Sequence, residues 1–206
     1  MRWITFSALA LSAGCAAEKV ALSEVASPEV IVETIPSGAS VSTQTSAPGT
    51  TPYALHARTV EEQHVLTVSR PGFHAQEVRV RGKDVHAHPG ARLLVPLRPD
   101  LWDANAKAID PDDAATLAKA GVDLSRANRC PEALLFLGRA AQVNPRLAMS
   151  HKAMGSCLAR LKKTDQALAA YKQYLLVAPD APDAERVRAI VSKAAGDIEI
   201  PPPFRE

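Results

Sequence analysis

Two consecutive stretches of the chain decide the fold: residues 114–147, AATLAKAGVDLSRANRCPEALLFLGRAAQVNPRL, and residues 148–181, AMSHKAMGSCLARLKKTDQALAAYKQYLLVAPDA. Written one above the other, they carry matching residues at an offset of 148 − 114 = 34 positions. The matching pairs are Gly121 with Gly155, Leu124 with Leu158, Ala133 with Ala167, and Pro145 with Pro179. Because apolar residues recur at helical spacing and a proline stands near each end, each stretch predicts two consecutive helices.

This period resembles that of the tetratricopeptide repeat, which is 34 residues long and stacks pairs of antiparallel helices, A and B. The resemblance implies that Gly121 and Ala133 let helices A and B of one repeat approach closely, while Leu124 and Leu137 fill the space between them. A stable stack usually needs about three repeats. The flanking segments are therefore expected to cover its ends.

Segments on both sides of the repeats are candidates for these covers. Residues 105–111 end in a proline at the same place in the period and predict the remnant of an earlier helix B. Residues 182–194 predict a capping helix. Its apolar residues at helical spacing are Ala184, Val187, Ile190 and Val191. We assign residues 100–195 to the helical module and residues 196–206, whose three consecutive prolines cannot continue a helix, to a flexible tail.

The region between residues 29 and 99 has a different pattern. Short alternating segments rich in Val, Ile and Thr are separated by turns that contain proline and glycine. The predicted strands are 30–35, 39–43, 63–69, 76–81 and 92–97. Residues 29–99 are therefore expected to form a small all-β domain, and the whole chain a two-domain α+β protein.

Four segments of this region follow the PEGA domain in order and spacing. They are Val30 to Val32, Pro36 to Val41, Gly49 to Pro52, and Val65 to Phe73. The region resembles that family over about seventy residues, although Ser37 stands where the family's name-giving turn has its acidic residue. The resemblance implies a surface-exposed β-sandwich in an envelope protein, commonly joined to other modules and without a catalytic role.

The first fourteen residues have the layout of a secretory signal. Arg2 precedes an apolar run from Trp3 to Ala13 that is too short to span a bilayer. The sequence from Leu11 to Cys15, LSAGC, resembles the lipobox of bacterial lipoproteins, in which the cysteine is acylated. We therefore expect residues 1–14 to be a signal peptide and Cys15 to carry lipid; the alternative is an ordinary secreted protein in which Cys15 is incidental.

The residues after Cys15 bear on the location of the protein. Residues 15–28 hold charges, serines and few large apolar groups, which is typical of a tether. Ala16 and Ala17 stand where an aspartate would resemble an inner-membrane retention signal. If the cell has two membranes, the resemblance favours the outer one.

Charge and motifs exclude several functions. The net charge is +2 and becomes +1 without Arg2, which argues against nucleic-acid binding. No Ser-His-Asp, Cys-His or phosphate-binding motif has its required context. Asp110, Asp112 and Asp113 stand where a helix begins and are interpreted as a cap. We expect no catalytic residues and no cofactor.

His86 and His88, with His74 or His64, are candidates for a metal site in the β region. His86 and His88 would share one face of a strand, but a zinc site needs further ligands and usually a nearby carboxylate, and only Asp84 is close in sequence. Solvated loop histidines are the simpler interpretation, and no metal is expected.

The concave face of the predicted helical stack is rich in basic residues. The candidate partner-binding residues are Lys119, Arg126, Lys152, Arg160 and Arg186. Such a face favours an acidic peptide segment, because Lys and Arg form charge-assisted hydrogen bonds with carboxylates; a solvated basic face is the alternative. The carboxylate clamp of chaperone-adapter tetratricopeptide domains is absent, since its positions hold Ala118 and Val122.

Cys130 and Cys157 form the other candidate pair. They fall on neighbouring antiparallel helices of the predicted stack, and an oxidising compartment would allow a disulfide bond between them. Two buried free thiols are the alternative.

These features together predict a non-catalytic adapter, anchored in the cell envelope, that recruits another protein. The alternative is a structural envelope component whose PEGA-like domain contacts cell wall or surface polysaccharide. Neither interpretation names the partner, because repeat folds leave recognition to variable surface positions.

Overall fold

The computed structural model describes residues 27–44 and 46–195. Within them the chain is a mixed α+β protein with two sheets and six helices. The strands are β1 (Glu29–Ile35), β2 (Ser40–Thr43), β3 (Gly49–Thr50), β4 (Tyr53–His56), β5 (Gln63–Arg70), β6 (Phe73–Arg81) and β7 (Arg92–Pro96). The helices are α1 (Gly82–Ala87), α2 (Ala114–Arg126), α3 (Cys130–Val143), α4 (Ala148–Arg160), α5 (Thr164–Val177) and α6 (Ala184–Ala195). The predicted signal peptide, Cys15 and the predicted tail lie outside the described residues.

The strands form one three-stranded and one four-stranded sheet. Their orders are β4-β1-β7 and β3-β2-β5-β6, and every pair is antiparallel except β1 with β7. Alternate residues of β1 and β5 are buried, as the sequence pattern predicts for strands with one face in the core. Val32 of the first sheet and Leu66 of the second are fully buried in one hydrophobic cluster.

Several features of this region differ from the sequence prediction. Strands β3 and β4 were not predicted, and the region is not all-β because α1 follows β6 directly. Gly82 lets this helix start close to the backbone of Thr59, because a Cβ at Gly82 would lie 2.1 Å from the carbonyl oxygen of Thr59. The N–H of Gly82 donates to the carbonyl oxygen of Glu62 at 2.7 Å. His86 lies within α1 and His88 caps it, so the two histidines do not share a strand face, and the interpretation of His86 as a loop histidine is wrong.

The repeated stretches each form two helices, as predicted. Helices α4 and α5 begin 34 residues after α2 and α3, at 148 against 114 and at 164 against 130. A Cβ on Gly121 would lie 2.5 Å from Cγ of Leu137, and a Cβ on Gly155 would lie 2.6 Å from the ring of Tyr171. Because only glycine permits contacts this close, the structure confirms that small residues let paired helices approach each other.

The cover over the first helix pair is not the one predicted. Residues 105–111 form no helix, so the expected remnant of an earlier helix B is wrong. The sheets cover this side instead: the rings of Phe73 and Phe136 stack at 6.3 Å, and residues of both sheets share one cluster with α2 and α3. Ile109 inserts into that cluster with 4% exposure, which holds the segment in an irregular conformation.

Helix α6 covers the other end of the helical region. Its Ala184, Val187 and Val191 pack against Tyr171, Tyr174 and Leu175 of α5. The amphipathic pattern of residues 182–194 thus forms a helix that buries Ala184, Val187 and Val191, although the helix begins at Ala184 and Ile190 stays 41% exposed. Among the described residues, every helix is too short or too polar to cross a membrane.

Candidate functional site

Two adjoining grooves lie on the face formed by α2, α4 and α6. The first has a volume of about 380 Å³ and the second about 310 Å³. The first groove is lined by Val122, Ser125, Arg126, Met149, Lys152, Ala153, Ser156, Arg160 and Tyr174. The second groove is lined by Lys152, Ser156, Tyr171, Asp183, Arg186, Val187 and Ile190. Because Lys152 and Ser156 line both, the two grooves form one continuous surface.

The structure brings four of the five candidate basic residues to this surface. Arg126, Lys152 and Arg160 line the first groove, and Arg186 joins Lys152 in the second. Lys119 lines neither groove; its ammonium lies 4.5 Å from the ring centre of Trp102.

Acidic residues of the chain already neutralise part of this charge. Asp123 accepts hydrogen bonds from Lys119 at 2.9 Å and from the indole N–H of Trp102 at 3.0 Å, and Arg126 lies 3.4 Å from the same carboxylate. Burial acts to raise the pKa of Asp123, but these hydrogen bonds outweigh burial and lower the pKa. Lys119 and Arg126 are therefore paired within α2.

Lys152, between the two grooves, is paired as well. Its ammonium lies 2.5 Å from Asp183, whose other oxygen accepts a hydrogen bond from Tyr174 at 2.5 Å. The hydrogen bond from Lys152, followed by that from Tyr174, holds the pKa of Asp183 below its usual value. Burial and the bond to Asp183 raise the pKa of Tyr174 to about 12, so the phenol remains a hydrogen-bond donor at neutral pH.

Arg160 and Arg186 differ from the other three basic residues. Arg160 donates to the carbonyl and the hydroxyl oxygens of Ser125 at 2.7 and 2.6 Å, which stabilises the C-terminal end of α2. Arg186 is exposed at the rim of the second groove. Within residues 27–44 and 46–194, neither guanidinium has a carboxylate partner. The grooves therefore carry uncompensated positive charge on both sides of Lys152.

The cysteine pair lies directly behind the first groove. Cys130 and Cys157 are free, buried thiols in the structure, and they are hydrogen-bonded to each other. Burial, followed by the hydrogen bond with Cys130, raises the pKa of Cys157 to about 11. Because the thiolate is the reactive form, the Cys157 thiol is unreactive at neutral pH while the fold is intact.

The remaining candidate groups have structural roles. Asp113 accepts hydrogen bonds from the backbone N–H groups of Ala115 and Thr116, which confirms its predicted cap on α2. The hydroxyl of Thr116 lowers the pKa of this carboxylate. Across the described part of the chain, no group of three or more His, Cys, Asp or Glu residues is placed to hold a metal ion.

Three polar residues that shape this surface, Asp123, Tyr174 and Asp183, are not among the predicted site residues. Asp123 could have been found, because it lies four positions after Lys119 on one helix and such pairs are neighbours. Asp183 and Tyr174 could not, since they meet Lys152 only when α5 and α6 pack against α4.

Sequence comparisons provide no relative from which a function could be transferred. No protein-family model matches the chain, and no curated protein matches it. A functional assignment therefore depends on the residues and their geometry.

Proposed function

We propose that the chain is a lipid-anchored, non-catalytic adapter of the bacterial cell envelope that binds an acidic segment of another protein. In this proposal residues 1–14 are a signal peptide, Cys15 carries the lipid, and residues 29–99 are a PEGA-like domain. Helices α2 to α5 are two tetratricopeptide repeats, and α6 is their capping helix. The observation that carries the proposal is the pair of arginines, Arg160 and Arg186, without carboxylate partners in adjoining grooves.

The apolar residues beside these arginines support a peptide over a small ion. Met149 in the first groove is 43% exposed and Ile190 in the second is 41% exposed, so each groove offers apolar surface next to positive charge. A peptide that alternates acidic and apolar side chains would use both features. The uncompensated charge would also speed the encounter with an acidic partner.

The basic residues of the grooves differ in whether a change to glutamate would also disturb the fold. A glutamate at position 152 would face Asp183, and a glutamate at position 160 would lose two hydrogen bonds to Ser125, so either change would also perturb the fold. Arg186 is exposed and forms no ion pair with a described residue. Arg186→Glu is therefore the most direct test.

The experiment is cross-linked capture of partners from envelope extract by the unaltered protein and by Arg186→Glu. We expect a captured protein to fall at least about tenfold with Arg186→Glu, equivalent to about 1.4 kcal/mol. Lys172→Glu is the matched control, because Lys172 is exposed on α5 and lines neither groove. Equal capture by all three proteins would contradict the proposal and favour the structural alternative, in which the sheets make the contacts.

A further inference from the structure

We propose that two copies of the chain join through the outer edge of β6, so that their four-stranded sheets become one continuous sheet. The inference goes beyond the proposed function, because it concerns the sheets and not the grooves. The partner it names is a second copy of this chain, placed by a two-fold axis so that the two β6 strands run antiparallel.

The outer edge of β6 is open over most of its length. This strand is the last in the order β3-β2-β5-β6. At its start the edge is occupied, since the N–H of His74 donates to the carbonyl oxygen of Arg98 at 2.9 Å, and at its end α1 begins with Gly82. Between these points, over residues 75–81, β5 is the only described segment that forms backbone hydrogen bonds with β6. This stretch can therefore accept a further strand.

The backbone groups of Glu77 and Arg79 point away from β5. The N–H of Gly82 donates to the carbonyl oxygen of Glu62, the residue before β5, at 2.7 Å. Backbone groups alternate in direction along an antiparallel strand, and the register of residues 63–68 with β6 is regular. Even-numbered residues of this stretch therefore face β5, and odd-numbered residues face outward. Glu77 and Arg79 each offer an N–H and a C=O to a new strand.

The charges select one register between the two copies. With Val78 opposite Val78, Glu77 of each copy lies opposite Arg79 of the other. Opposite charges across a ladder are favourable and like charges are not. Sliding one copy by two residues would place Glu77 opposite Glu77 or Arg79 opposite Arg79, and sliding it by one residue would set exposed side chains against core-facing ones. Val78 is also the middle residue of the open stretch 75–81, so both ends of the ladder fit.

Both faces of the strand gain from this register. Glu77 and Arg79 are 62% and 78% exposed, and Nη2 of Arg79 lies 3.5 Å from Oε2 of Glu77. Such an exposed pair contributes little within one chain, but the charges of two copies would form an alternating network of four. On the core-facing side Val78 is only partly buried, whereas Leu66 beside it on β5 is fully buried. Contact between two Val78 side chains would remove further apolar surface from water.

Charge reversal and mixing test the proposal in the full chain. Sedimentation equilibrium distinguishes the 21.9 kDa chain from a species of twice that mass. We expect the unaltered chain to form this dimer. Glu77→Arg and Arg79→Glu each place like charges opposite each other, so each should raise the dissociation constant at least about tenfold. An equimolar mixture of the two variants should recover the dimer, because every facing pair then carries opposite charges.

Amide hydrogen exchange locates the contact on the strand. The N–H groups of Glu77 and Arg79 should exchange more slowly above the dissociation constant than below it, since only the dimer provides them with acceptors. The N–H of Val78 faces β5 and should be equally protected at both concentrations. Arg58→Glu is the matched control, because Arg58 is exposed in the loop between β4 and β5, and it should leave the dimer unchanged.

Three results would overturn the proposal. The first is a monomeric unaltered chain, and the second is a dimer that persists in both single variants. The third is a mixture that stays monomeric although circular dichroism shows both variants to be folded. The partner-capture experiment is independent of all three, because Arg186 lies on α6 whereas these substitutions lie on β6.

Discussion

The two helix pairs share a sequence period but differ in what covers them. In the first pair, α2 and α3, Leu117 and Phe136 belong to the same hydrophobic cluster as the sheet residues Val32 and Leu66. The five buried residues of α5, in the second pair, form two smaller clusters, one shared with α6 and one with Leu158 of α4. The repeated sequence therefore specifies how two helices pair, while the neighbouring segments decide what each pair packs against.

The joint between the sheets and the first pair centres on Arg129. Its guanidinium donates to the carbonyl oxygen of Gly72 at 3.1 Å and to Asp100 at 2.9 Å, and it lies 4.8 Å from the ring centre of Phe73. The joint thus combines apolar stacking with a charged hydrogen-bond network. The first pair is held by the sheets, whereas α4 of the second pair contributes more residues to the two grooves than any other helix.

The largest predicted effect tests the shared core. Phe136 is fully buried and stacks on Phe73, so Phe136→Ala should lower the free energy of unfolding by about 3–5 kcal/mol. Leu135→Ala is the control on the same helix, because Leu135 is 48% exposed, and it should cost less than about 1 kcal/mol. Urea denaturation followed by circular dichroism measures both. Similar losses for the two variants would contradict the core shared by the sheets and the first pair.

A smaller effect is expected at the turn under Arg129. Gly72 has a φ of +82° and a Cβ there would lie 2.7 Å from Nη2 of Arg129, so Gly72→Ala should cost about 2–3 kcal/mol. Gly90 has a φ of +77° but open space around it, and Gly90→Ala should cost only the conformational penalty of about 1 kcal/mol. Thermal unfolding compares the two. Equal losses would show that Arg129 moves aside freely and that the joint is weak.

The smallest effect compares equivalent turns of the two pairs. Asn128 and Lys162 both have positive φ, at 61° and 59°, but asparagine tolerates this conformation better than lysine. Lys162→Gly should therefore stabilise the protein by about 0.5–1 kcal/mol, and Asn128→Gly should change the stability less. Urea denaturation of both variants tests this difference. A larger gain from Asn128→Gly would mean that the turns are not equivalent.

Local patterns predicted the elements that depend on neighbours in sequence. The helix starts at Ala114 and Ala148 coincide with the starts of the repeated stretches, and β5 extends the predicted strand 63–69 by one residue. The irregular segment 105–111 was assigned wrongly, because Ile109 is held by a distant core that its own sequence does not reveal. Strand β3 has only two residues, too few for an alternating pattern.

In the grooves, too, features set by spacing along one helix were predictable from the sequence, and contacts between helices were not. Basic residues on one helix face can be found by spacing, and α4 places Lys152 and Arg160 in one groove. Their remaining charge could not be predicted, because Asp183 reaches Lys152 from the segment before α6, and Arg160 turns to the end of α2. Only the packed structure shows which cations lack a carboxylate partner among the described residues.

The position of β1 determines how the fold would respond to a pulling force. This strand is the central one of its sheet, paired with β4 from Glu29 to Val32 on one side and with β7 from Ile31 to Ile35 on the other. If the protein is anchored by lipid at Cys15, a pulling force acts on β1 at its first residue, Glu29. A load along the strand shears both hydrogen-bond ladders at once, so many bonds must break together. The anchored end of the fold would therefore be mechanically resistant.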